Sequence, residues 1–94
     1  TGGIMSGVSI PVKPNYQVPF SEQVKAKADI PVTAVGLITK PKQAAKILAH
    51  GEADAVEIGR AALRDPYWPL RAANKLGIPS TEIPYAPQYV AGAY

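Results

Sequence analysis

Asp54-Ala55-Val56-Glu57-Ile58-Gly59-Arg60-Ala61-Ala62-Leu63-Arg64-Asp65-Pro66 is the stretch on which the fold turns. Ala53 to Ile58 reads as a strand, Gly59 ends it, and Arg60 onward has a helical composition at once. A strand that passes through glycine into a helix is one step of a βα unit. Its tip leaves backbone N–H groups free, here beside the fixed charge of an arginine. On spacing alone the tip is either an anion site or an ordinary tight turn.

The same step occurs upstream. Val32-Thr33-Ala34-Val35 is β-branched enough for a buried strand and Gly36 closes it. Pro41 fits the first turn of a helix, Ala44, Ala45, Ile47 and Leu48 form its apolar stripe, and Gly51 suits its C-terminal cap. Before this unit, Thr1 to Pro19 reads as a loop broken by proline and glycine, with a possible short strand end at Ile4-Met5. Ser21 is the expected N-cap of a short helix over Glu22 to Ala28. After the second unit, Asp65-Pro66 interrupts the helical turn, Pro69 to Leu76 reads as a further helix stopped by Gly77, and residues 79–94 form an irregular tail.

Strand–helix–strand–helix implies an α/β fold with parallel strands. Two strands do not make a stable parallel sheet by themselves, because both faces and both edges need cover. The expected architecture is therefore the C-terminal βαβα part of a TIM (β/α)8 barrel, or a sheet completed by copies of the same chain. In such barrels the loops after the last two strands commonly hold a phosphate at the C-terminal face. Gly36 and Gly59 end consecutive strands, and Arg60 adds a planar fork of donors that suits phosphate.

Composition narrows the function classes. With 94 residues and no cysteine, the chain has neither a disulfide framework nor a thiolate metal site, and a reducing, cytoplasmic setting is expected. The charge of +3 invites nucleic acid, but Lys13, Lys25, Lys27, Lys40, Lys42, Lys46 and Lys75 are scattered as solvated faces would be. No apolar run spans a membrane and no signal-peptide layout is present, so neither a nucleic-acid nor a membrane partner is expected. The start at Thr1, without an initiator Met, suggests a fragment or a processed product.

Other residues carry less chemistry. His50 reads as a cap or a solvent-facing group. Asp54 and Glu57 do not face each other along a strand and are no acid–base pair, while Glu57 in an apolar strand either meets a neighbouring polar group or sits at a ligand. Asp65-Pro66-Tyr67-Trp68-Pro69 reads as an aromatic brace between helices. Ser6, Ser9 and Ser21 have no histidine beside them, so no catalytic residue and no metal ligand is assigned.

"YQVPF" (16–20), "AVGLIT" (34–39), "ADAVEIGRAALRDPYWPLRAA" (53–73) and "PQY" (87–89) together resemble the C-terminal part of the Old Yellow Enzyme family. The resemblance is to its thermophilic-like bacterial branch and covers nearly the whole chain. It implies strands 7 and 8 of an FMN-binding (β/α)8 barrel, with "TGG" (1–3) at the end of strand six and "YQVPF" leading into helix seven. It also implies a parent oxidoreductase in which NAD(P)H reduces FMN and the flavin reduces a small-molecule activated alkene. The FMN phosphate would lie on Val35, Gly36, Gly59 and Arg60.

The family's substrate-anchoring histidines, tyrosine proton donor, flavin-tuning Cys or Thr and ring-contacting glutamine belong to earlier strands. The isolated chain is accordingly expected to be catalytically incomplete and to need the remainder of the barrel. The branch also carries a C-terminal arginine that reaches a neighbouring subunit's site; in "QYVAGAY" Ala91 stands near that place. The competing expectation is a non-catalytic barrel fragment that self-associates to cover its sheet edges.

Overall fold

A computed structural model describes residues 4–94, so the "TGG" expected at a strand end lies outside the described residues. Helix α1 (Val18–Lys27) is followed by strand β1 (Thr33–Ala34), helix α2 (Pro41–Ala49), strand β2 (Ala55–Val56) and helices α3 (Arg60–Arg64) and α4 (Trp68–Lys75). Two 3-10 turns, Ser80–Glu82 and Pro87–Gly92, lie in the tail.

The strands pair in parallel, with Thr33 opposite Ala55 and Ala34 opposite Val56. The pairing extends a little beyond them, since Asp54 N donates to Val32 O at 2.7 Å and Glu57 N to Ala34 O at 2.8 Å. Both strands are shorter than the sequence predicts. Among the described residues each has one neighbour, so the residues whose partners would lie on further strands make no ladder.

Helix α1 packs on β1, α2 on β2, and α4 on α2. The core between them is Val18, Ala34, Ile38, Ala44, Ile47, Ala53, Ala61, Trp68 and Ala72, with Val56 and Ile58 packed against it. Side chains alternate across a strand, so Val56 and Ile58 face the helices while Ala55 and Glu57 face away. On β1, buried Ala34 faces the helices, and exposed Val35 just beyond it faces away. The sheet thus has one covered face and one open face.

The N-terminus of α1 differs from the sequence expectation. Gln17, not Ser21, holds the N-cap position, with Pro19 in the first turn. Proline suits that position because it removes an N–H that has no intrahelical acceptor anyway. Ser21 is buried inside the helix; its hydroxyl donates to Val18 O at 2.8 Å, with Glu52 O also near at 3.2 Å. That second contact ties α1 to the turn before β2. Pro41 and Gly51 fall where the sequence places them: Pro41 opens α2, and Gly51 follows its end with φ +68, a value natural to glycine.

The aromatic brace resolves into two halves. Trp68 is buried and its indole N–H donates to Thr39 O at 2.9 Å, joining α4 to the loop after β1. Tyr67 is exposed instead. The break between α3 and α4 is held by Asp65, which accepts from Tyr67 N at 3.2 Å and pairs with Arg71.

Candidate functional site

Both strand-to-helix turns open on one cleft of about 160 Å³. One wall is the loop after β1, Val35 to Thr39; the second is Glu57, Gly59, Arg60 and Ala61 at the end of β2; Val12 and Tyr16 close the third side. Val35, Gly36, Gly59 and Arg60, the four residues singled out from the sequence, all line it.

Parallel pairing explains the convergence. Two parallel strands carry their C-terminal ends to the same edge, so the turns that leave them must lie side by side. Gly36 is there for two reasons. Its φ is +136, a conformation open to glycine alone, and a Cβ on it would stand 3.0 Å from Gln17 N and 3.3 Å from a Tyr16 ring carbon. The next residue, Leu37, also has a left-handed φ, of 51. The loop therefore folds back sharply over the start of α1.

At the other turn Gly59 is the N-cap of α3, and its carbonyl accepts from Ala62 N at 3.0 Å and Leu63 N at 3.1 Å. The N–H groups of Arg60 and Ala61 precede the first N–H that bonds within the helix, that of Ala62, so the helix itself gives them no partner. Arg60 is exposed and makes no ion pair among the described residues. Free donors and an uncommitted guanidinium form the donor set an anion needs. Glu57 lines the same cleft and opposes that charge. The cleft is smaller than the roughly 300 Å³ at which pockets for whole drug-sized ligands begin.

The remaining candidates lie elsewhere. His50 is the exposed C-cap of α2, its Nδ1 3.5 Å from Glu52 Oε1. Asp54 is on the far side of β2 from the cleft, paired with Lys25 and accepting from Val32 N at 2.8 Å. The bond from Lys25, with that from Val32 behind it, holds the Asp54 carboxyl below the ordinary carboxylate range. Among the described residues no three His, Cys, Asp or Glu side chains gather as a metal site, and no helix is long and apolar enough to cross a membrane.

Val12 and Tyr16 were not foreseen as site residues, because they sit in a loop without periodicity. Gln43 was also missed, although a Gln at the third position of a helix is a recognisable sign. It stands behind the cleft wall and bonds Asn15, Leu37, Thr39 and Lys40.

Comparison with known proteins adds the following. Residues 6–78 match the profile of the NADH:flavin oxidoreductase / NADH oxidase family. The chain is 48% identical over 79 residues to a protein named NADPH dehydrogenase from Geobacillus thermodenitrificans (strain NG80-2), covering 80% of this chain and 23% of that protein. It is 46% identical over 93 residues to an NADPH dehydrogenase of Geobacillus sp. (strain WCH70), covering 95% of this chain and 26% of the other. With the NADPH dehydrogenase of Bacillus subtilis (strain 168) the identity is 42% over 92 residues, covering 98% of this chain and 26% of the other. The chain thus spans about a quarter of the length of these curated relatives.

Proposed function

The chain belongs to the NADH:flavin oxidoreductase / NADH oxidase family, the bacterial Old Yellow Enzyme branch, and from that premise we propose that its two strand-to-helix turns hold the phosphate end of FMN. The family implies a TIM barrel, and the β1–α2–β2–α3 succession is compatible with a piece of one. We place β1 and β2 as its strands 7 and 8. The observation that carries the reading is the convergence of Val35, Gly36, Gly59 and Arg60 on one cleft of about 160 Å³.

The work of this chain is binding. The N–H groups of Arg60 and Ala61 are free to meet an anion, Arg60 supplies a positive charge on a planar fork of donors, and Gly36 keeps the opposing loop tightly turned. When bound in the whole enzyme, FMN would supply the hydride-transfer chemistry between NAD(P)H and an activated alkene. The chain's residues fix where that cofactor's phosphate sits and so orient it; orientation of a bound reactant is a large part of catalysis.

Riboflavin, which is FMN without the phosphate, gives the direct test. Titrated into the 94-residue chain and followed by flavin fluorescence, FMN is expected to bind at least several-fold tighter than riboflavin. Equal affinity for the two overturns the phosphate reading.

A second reading has its own observation. Val35 on the open sheet face is 42% exposed, and Leu63 on α3 is 84% exposed. These apolar surfaces favour a chain that covers itself with the rest of a barrel or with further copies of itself.

A further inference from the structure

Gln43 is outside the cleft lining, yet its side chain touches the segments that form two of the walls. Its Nε2 donates to Asn15 Oδ1 at 2.6 Å and to Leu37 O at 3.0 Å. Its Oε1 accepts from Thr39 N at 3.0 Å and Lys40 N at 3.3 Å. A primary amide offers two donor hydrogens and two lone pairs, so every one of its hydrogen-bonding positions is taken. The two main-chain N–H groups also fix which end of the amide is oxygen, because the reverse orientation would set donors against donors.

The residues it holds are not relaxed turns. Asn15 and Leu37 have φ of 63 and 51, in the left-handed region that side chains other than glycine seldom enter. Asn15 N also donates to Gly36 O at 2.9 Å. One amide therefore clamps two left-handed residues, one just before Tyr16 and the other just after Gly36.

We infer that Gln43 is a positioning residue for the cleft: it locks the wall at 35–39 against the segment at 12–16 and thereby sets the opening into which the phosphate fits. The inference rests on the FMN-phosphate reading above. If Gln43 merely capped α2, its Oε1 would be enough and the bonds to Asn15 and Leu37 would be idle.

Two neutral substitutions test this. Gln43→Met keeps the length and removes all four bonds. Asn15→Gly keeps a left-handed backbone and, by removing the side chain, takes away the acceptor that Nε2 uses while leaving the other three bonds of Gln43. Each variant, and the double variant, is titrated with FMN and with riboflavin, and its fold is checked by circular dichroism and Trp68 emission. Each single change is expected to weaken FMN binding about tenfold while leaving riboflavin unchanged, as misplaced binding groups do. The double variant is expected to be no worse than the poorer single one, the mark of partners in one interaction.

Folded variants that bind FMN as well as the unaltered chain overturn the inference alone. An unaltered chain that does not distinguish FMN from riboflavin overturns the phosphate reading, and this inference with it. Should Gln43→Met fail to fold, Asn15→Gly decides.

Discussion

Arg60 and Glu57 stand at the same opening with opposite charges, and they should pull anion affinity in opposite directions. A hydrogen bond between charged groups contributes about 1.5–3 kcal/mol, so Arg60→Ala is expected to weaken FMN binding by roughly ten- to a hundredfold. Riboflavin binding should not change. Glu57→Gln removes a like charge and is expected to strengthen FMN binding by a factor of about two to five, an effect that fades in high salt. Parallel titrations at low and high ionic strength check both. At the opposite end of β2, Asp54 is a stability group. Its folded pKa lies below the unfolded value, so it stabilises the chain at neutral pH. That contribution is lost as pH falls through the ordinary carboxylate range towards the folded value. Thermal midpoints measured from pH 7 down to pH 3 should fall less steeply for Asp54→Asn than for the unaltered chain, from a lower start.

Among the elements, α4 bears on the site from outside it, because Trp68 reaches from it to Thr39 in the cleft wall. Trp68→Phe keeps an aromatic ring but leaves Thr39 O without its donor. A loss of about 1–3 kcal/mol in urea unfolding is expected, whereas Trp68→Ala should cost about 3–5 kcal/mol. The elements also show what local sequence discloses. Proline at the start of α2 and glycine after it were legible because they act through the backbone of their own turn. Ser21 misled because a serine before Glu22 resembles a cap, while the decisive residue was Pro19, which only suits a first turn. Gly36, Gly59 and Arg60 were legible as the ends of two glycine-closed strands, and Val35 came only with the family resemblance. Val12, Tyr16 and the ties of Gln43 were not, since they depend on which loops the parallel pairing brings together.

For the whole molecule, the balance of surface is the leading fact. The chain exposes 6970 Å², against about 5,200 Å² for a compact monomer of 9.9 kDa. Its radius of gyration is 15.7 Å, against about 12 Å for a compact domain of this length. The excess surface is of the order that a sizeable partner covers. At micromolar concentration, light scattering is therefore expected to give a mass above that of one chain, and the thermal midpoint should rise with concentration. A monodisperse monomer whose midpoint is independent of concentration would contradict this.

The bond from Trp68 to Thr39 has one more consequence. The chain contains a single tryptophan, and that tryptophan is fastened to the wall of the cleft. Its emission is thus a built-in gauge of the site, uncontaminated by any other indole. FMN bound to this chain is expected to draw off that light by energy transfer, so filling of the cleft would be readable in real time without a label.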